Sequence, residues 1–233
     1  PTTIGLPSIH EWKGEATEEE TDKPTWQKQK AVFGIRAMWI VAASSGLMYV
    51  TRYAINSWGI LFLQESRGYS LTDAGFLMAV NTIAGIFGSI AYGYISDKFF
   101  DARRPPANLI FAVIEVVALI AIFFGPENYW FQAMAFAAYG AMLSGLMASL
   151  GGLFAVDIAP RGATGAAMGF VGIFSYVAAG LQESISAGLI SAGVSVVDGA
   201  RTYDFDVAIF YWIGSSVLSM LLAATLWNTR IRD

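Results

Sequence analysis

The stretch Tyr49-Val50-Thr51-Arg52-Tyr53 places an arginine near the middle of an otherwise apolar run, from about Val32 to Leu63. Such a run is long enough to cross a bilayer as a helix. A guanidinium at that depth costs at least ~2.5–3.5 kcal/mol on insertion scales, so it is expected to face a protein interior or water rather than lipid. Helical spacing sets Ser45, Tyr49, Arg52 and Asn56 three or four residues apart, on one face. The fork of an arginine matches the oxygens of a phosphate or carboxylate, where a lysine offers a point charge. The stripe therefore reads as an anion site. The competing reading is an inter-helix ion pair from Arg52 to Glu115 or Glu183.

Outward from that run, composition fixes the class. The 233 residues are 55% hydrophobic and only 14% charged, where a soluble domain carries about 25% charged residues. The chain is expected to span a membrane several times. With no cysteine, disulfides, zinc–thiolate sites and thiol chemistry are excluded together. The single histidine, His10, lies in a polar leader and reads as solvated. No nucleophile–base pair, metal cluster or cofactor motif is read, so no catalytic or metal-binding residue is assigned, and nothing supports a nucleic-acid partner.

Residues 1–31 read as a solvated loop or linker containing the run Glu18-Glu19-Glu20, with Thr25 able to cap a helix from Trp26. A chain opening inside such a loop reads as a fragment. Six hydrophobic segments are expected within residues 32–229, at approximately 32–63, 71–95, 107–124, 130–156, 164–192 and 207–227, before a short tail at 230–233. Ser70 and Thr72 are cap-like at the second start, and Gly125-Pro126 stops the third. Lysines and arginines set the orientation. Lys23, Lys28, Lys30, Lys98, Arg103, Arg104, Arg161, Arg230 and Arg232 collect on one side, against Arg67 and Arg201 on the other. Both termini are thus expected to be cytoplasmic.

Small residues recur at helical spacing, as in Gly85/Gly88, Gly151/Gly152 and Gly165-x-x-x-Gly169, and packing is their expected role. In the fifth segment Gly165, Gly169, Gly172, Tyr176 and Glu183 share one stripe. Glu183 reads either as a carboxylate beside a substrate path or as a buried group bonded to another helix. Gln182 is about 100° round that helix and is counted as able to reach the same cavity. Glu115, without a polar stripe around it, reads as structural.

The loop Gly93-Tyr94-Ile95-Ser96-Asp97-Lys98-Phe99-Phe100-Asp101-Ala102-Arg103-Arg104 joins the second and third segments. It resembles the G-x-x-x-D-[RK]-x-x-x-x-R-R loop of the major facilitator superfamily. Its helix-end carboxylate and basic cluster are suited to pairing with neighbouring helix ends in one state and releasing in another. Tyr49-x-x-Arg52-Tyr53 resembles the seventh helix of the organophosphate:phosphate antiporters within that superfamily. The run from Asp157-Ile158-Ala159-Pro160-Arg161-Gly162 through Thr164-Gly165 to Tyr176 is similar to that family's junction of helices ten and eleven, and Gly5-Leu6-Pro7-Ser8-Ile9 resembles the start of its central loop.

The resemblance implies an all-α membrane protein whose six transmembrane helices form the C-terminal half, helices 7–12, of such a transporter. It implies exchange of an organophosphate such as a sugar or glycerol phosphate for inorganic phosphate, through alternating access, in the inner (cytoplasmic) membrane. An N-terminal six-helix half is the implied partner, beside the lipid bilayer, and no cofactor is implied. The expected substrate-binding residues are Arg52, Tyr49, Tyr53, Asn56, Asn81, Tyr176, Gln182 and Glu183. The expected switch loop is Gly93, Asp97, Lys98, Arg103 and Arg104. Where the family often carries a glutamate in helix eight, this chain has Thr82 beside Asn81, and the aromatic or histidine-bearing face of helix ten is replaced by Ser149, Gly152 and Phe154. These departures bear on which substrate is carried. Alternatives are a membrane sensor that binds a sugar phosphate and signals to a kinase, and a proton-coupled organic-anion transporter using Glu183.

Overall fold

The computed structural model of the chain describes residues 25–101, 103–160, 162–197 and 200–227. The Gly5–Ile9 motif, His10, the Glu18–Glu20 run, Lys23, Arg161, Arg230 and Arg232 lie outside the described residues. The chain folds as α1 (Thr25–Phe33), α2 (Arg36–Glu65), α3 (Leu71–Phe99), α4 (Arg104–Phe124) and α5 (Tyr129–Ala148). A π-helical turn, Ser149–Leu153, then leads into α6 (Phe154–Ile158). After α7 (Thr164–Ala192) come the strands β1 (Ser195–Val197) and β2 (Ala200–Thr202), then α8 (Asp206–Ala224). Helices dominate because a lipid interior offers no water to bond a free backbone N–H or C=O.

Among the described residues, five helical stretches are long and apolar enough to cross a membrane: Leu71–Phe99, Arg104–Phe124, Tyr129–Ile158, Thr164–Ala192 and Asp206–Ala224. At 30 residues α2 is as long as any. It falls below their apolarity because the stripe expected around Arg52 replaces hydrocarbon on one face. Three expectations need correcting. The first segment is not continuous from residue 32: the chain turns at Gly34 and Ile35, separating α1 from α2. The fourth is interrupted by the π-turn at Ser149–Leu153. The link between the last two long helices carries an antiparallel two-stranded hairpin, Val196 opposite Arg201, where no strand was expected.

Local chemistry sets the helix ends. Ser70 caps α3 by accepting from the Asp73 amide at 3.1 Å, and Asn128 caps α5 by accepting from the amides of Trp130 and Phe131. Arg67 serves the opposite pole. It donates to the carbonyls of Ile122, Phe123 and Gly125 at 3.2, 2.5 and 3.1 Å, capping the negative end of α4.

Two kinds of contact assemble the bundle. Between α3 and α5 the backbones touch: a Cβ on Gly88 would lie 2.0 Å from the Ala141 carbonyl oxygen, and one on Gly140 would lie 2.1 Å from that of Asn81. Elsewhere hydroxyls cross between helices. Ser44 of α2 donates to the Ser219 carbonyl of α8 at 2.9 Å and receives the reciprocal bond at 2.7 Å. Ser45 bonds Ser175 of α7 at 2.8 Å. Glu115, fully buried on α4, accepts from Ser216 of α8, the structural role expected for it. The stripe of α7 behaves differently from expectation: a Cβ on Gly165, Gly169 or Gly172 meets nothing within 4 Å. Those glycines pack no helix among the described residues.

Close approach is testable within one helix. Gly88→Ala inserts a methyl into the backbone of α5 and is expected to destabilise by about 1–3 kcal/mol. Gly75→Ala, on the same helix, meets open space and is expected to leave the thermal midpoint in detergent unchanged or slightly raised. Equal losses in the two variants would contradict glycine-mediated contact at α3–α5.

Candidate anion site

Helix α2 presents Tyr49, Arg52 and Tyr53 at i, i+3 and i+4, so their side chains group on one face. The Arg52 guanidinium carbon lies 5.6 Å from the Tyr49 ring centre and 5.8 Å from that of Tyr53. These distances are in the range where a ring face attracts a cation. The two tyrosines stack at 6.1 Å, and Tyr176 of α7 meets Tyr49 edge-on at 5.6 Å. Ser45–Ser175 and the close seat of Gly46 against the Phe174 carbonyl hold α7 near enough for that contact. One guanidinium nitrogen donates to the Met147 sulfur at 3.0 Å, a weak acceptor. Among the described residues Arg52 forms no ion pair, so neither Glu115 nor Glu183 neutralises it. The result is a half-buried cation against two tyrosine rings, with Tyr176 packed on one of them and hydrogen-bond donors to spare.

Of the other residues expected here, Asn56 is exposed one turn beyond Arg52. Glu183 is half-buried on α7 and accepts a 2.5 Å hydrogen bond from Ser57 of α2. Two are placed elsewhere. Asn81 is buried on α3 against Gly140, so it lies in the α3–α5 seam. Gln182 is wholly buried and donates to Ser186 at 3.0 Å, the hydroxyl that also receives the Trp212 indole N–H from α8. The 100° step from Glu183 turns Gln182 toward α8 and away from the Arg52 face. Ser45, first in the expected stripe, is likewise buried in its bond to Ser175. Met147 and Ser57 were missed. Ser57 sits five residues from Arg52, off the i+3/i+4 stripe, and nothing in the pattern marks Met147. Tyr176 also lines a shallow groove of about 540 Å³ with Gly169, Gly172, Ile173 and Val177.

At the end of the bundle where α3 meets α4, Arg104 is the hub of the expected switch loop. Its Nε donates to Asp157 at 3.1 Å, and its Nη1 donates to Ser96 at 3.1 Å and Asp97 at 3.3 Å. It thereby ties the start of α4 to the end of α3 and to α6. Asp157 was not expected in this role, although an acidic residue at a helix end beside a basic cluster is the signal that marks it. Lys98 donates to the Tyr94 hydroxyl at 2.5 Å and Arg103 is exposed. Asp101 takes the left-handed backbone (φ 50°) that closes the turn. A Cβ on Gly93 would meet nothing within 4 Å.

Comparison with known proteins gives the arrangement its relatives. The family model of the Major Facilitator Superfamily matches residues 6–182. The chain is 28% identical over 241 residues to a glycerol-3-phosphate transporter of Bacillus subtilis, covering 98% of this chain and 51% of the relative. It is 32% identical over 188 residues to the membrane sensor protein UhpC of Escherichia coli, covering 78% of this chain and 43% of that one. It is 26% identical over 212 residues to the hexose-6-phosphate:phosphate antiporter of Escherichia coli, covering 84% and 43%. The chain thus spans about half the length of the curated relatives it matches.

Arg104 and Asp97 differ in a measurable way. The Arg104 side chain is 12% exposed with three acceptors, whereas that of Asp97 is 65% exposed. Arg104→Ala leaves the carboxylate of Asp157 without its cation and is expected to cost about 1.5–3 kcal/mol. Asp97→Asn removes one exposed pair and is expected to cost no more than about 1 kcal/mol. Thermal unfolding in detergent measures both, and a larger loss for Asp97→Asn would displace Arg104 as the hub.

Proposed function

We propose that this chain, which belongs to the major facilitator superfamily, forms one half of a secondary transporter that exchanges a phosphorylated metabolite for inorganic phosphate. The observation that carries the reading is the guanidinium of Arg52, without an ion-pair partner among the described residues and held against Tyr49 and Tyr53, with exposed Tyr176 beside Tyr49. An anion leaving water for a cavity of lower dielectric must recover its hydration through charge-assisted hydrogen bonds. Arg52 supplies the charge and the fork, and the phenols add neutral donors. A second six-helix half would close the site over the exposed faces of α2 and α7. Rocking of the two halves would then present the anion to each side in turn, with Asp97 and Arg104 at the moving end.

The relatives named for glycerol-3-phosphate and hexose phosphate support a phosphorylated metabolite as the cargo. The proposed orientation, with the Asp97–Arg104 end cytoplasmic, follows the positive charge: Lys98, Arg103 and Arg104 lie at that end and Arg67 and Arg201 at the other. The inner membrane is the placement this reading implies. A second reading, a sugar-phosphate sensor that signals to a partner kinase, is favoured by the 32% identity to a membrane sensor protein. Counterflow separates the two. Vesicles holding the full-length protein and loaded with phosphate take up labelled organophosphate if it is a transporter, and bind it without flux if it is a sensor.

In the full-length protein, Arg52→Lys keeps the charge and loses the fork, so substrate binding is expected to weaken at least about tenfold. Arg52→Ala is expected to abolish detectable exchange, with phosphate and organophosphate affected together because both present the phosphoryl group. Tyr49→Phe removes at most one neutral hydrogen bond and should cost about 0.5–1.5 kcal/mol. Radiolabelled phosphate exchange in vesicles, with folding checked, measures all three. Near wild-type exchange by a folded Arg52→Ala protein would show that Arg52 does not hold the anion.

A further inference from the structure

The open face that carries the Arg52 cation also carries an anion. Glu183 lies seven residues beyond Tyr176 on α7, on the same side of the helix and about 10.5 Å farther along its axis. Its carboxylate accepts from Ser57, which sits about 7.5 Å beyond Arg52 along α2. The pairs Ser45–Ser175, Tyr49–Tyr176 and Ser57–Glu183 advance together, so the two helices run parallel and Glu183 is displaced from Arg52 toward the Arg67 end. Exposed Asn56 stands axially between the two poles.

Among the described residues, no lysine, arginine or histidine pairs with Glu183, and Ser57 is its one hydrogen-bond donor. A carboxylate offers about four lone-pair sites and no donor. A half-buried carboxylate without a cation is an unfavourable arrangement. A ligand ammonium both fills an open acceptor position and neutralises the charge, whereas a hydroxyl does only the first.

We propose that Glu183 is a specificity-determining residue that selects phosphorylated substrates bearing an amine, with the phosphoryl group on Arg52 and the ammonium on Glu183. The proposal rests on the reading of Arg52 as the anion site. Such a ligand is a zwitterion whose two poles match the two on the protein, so neither protein charge is left unmatched in the bound state. A phosphorylated aminosugar has this chemistry, and the corresponding neutral sugar phosphate is its control.

The test is competition against labelled inorganic phosphate, using the full-length protein in vesicles. The probes are glucosamine 6-phosphate and glucose 6-phosphate, which differ at the amine. Glucosamine 6-phosphate is expected to compete at about tenfold lower concentration, the scale of one hydrogen bond gaining a full charge. Glu183→Gln should shrink that preference to within about twofold, while inorganic phosphate still binds in an Arg52-dependent way and no more weakly, since a like charge is removed. Ser57→Ala removes the α2–α7 bond but keeps the carboxylate, so it should retain the preference. Equal competition by the two sugars, on intact Arg52-dependent phosphate binding, overturns this proposal alone. So does a parallel loss of phosphate binding in Glu183→Gln and Ser57→Ala, which marks a helix clasp. Phosphate binding that does not depend on Arg52 overturns the anion site and this proposal with it.

Discussion

A guanidinium halfway along a membrane helix is the constraint on which the rest depends, because it cannot be deprotonated to escape its cost. The usual remedy is a nearby carboxylate, and among the described residues the bundle offers buried Glu115 and half-buried Glu183. Neither is used. Glu115 is held by Ser216 between α4 and α8, and Glu183 by Ser57. Arg52 receives instead two tyrosine faces and a thioether, which steady its position without cancelling its charge. An ion pair would have filled the fork and closed the site to any anion. The chosen neighbours leave the field of the cation directed at the open face.

That choice divides the bundle into a sealed side and an open one. The α3–α5 seam is built from backbone contact at Gly88 and Gly140, with spacings too short for any side chain. Lipid gives helices no hydrophobic reason to associate, so such contacts and the serine pairs supply the cohesion. The glycines of α7 have the same composition and the opposite surroundings, with nothing near them at Gly165, Gly169 and Gly172. Similar residues therefore serve two ends, and the difference comes from the neighbour, not from the glycine.

This is also where the sequence stops being legible. Length and apolarity located the long helices, and i/i+3/i+4 spacing grouped Tyr49, Arg52 and Tyr53, because both depend on one helix at a time. Which glycine touches what depends on a second helix. So does the fate of neighbouring polar residues: Gln182 and Glu183 are adjacent in sequence, yet one bonds toward α8 and the other toward α2. Asn81 looked available for a ligand and is walled in by Gly140. Met147 carries no polar signal and touches the charge. The hairpin between α7 and α8 was hidden because three-residue strands leave too short a pattern to read. In the loop between α3 and α4 the basic cluster was visible, while Asp157, the partner of Arg104, lies more than fifty residues away in the chain.

The π-turn at Ser149–Leu153 links these local facts. A π-turn replaces the i→i−4 bond with a wider one and is common near functional sites. Here Met147, against Arg52, lies two residues before it, and Asp157, bonded to Arg104, lies four residues after it. Ser149 within the turn bonds the Tyr92 hydroxyl at 2.8 Å, and Tyr92 also donates to Asn108 at 2.6 Å, joining α3 and α4 to the same point. One short segment therefore touches Arg52 at one end and Arg104 at the other. A regular helix would transmit an axial shift only as a rigid rod. A segment with an irregular turn in the middle has a place where the two ends can part. Ser149 and Gly152 lie inside that turn and Phe154 directly follows it, so the positions that depart from the pattern of the resembled family are also the ones that form the turn.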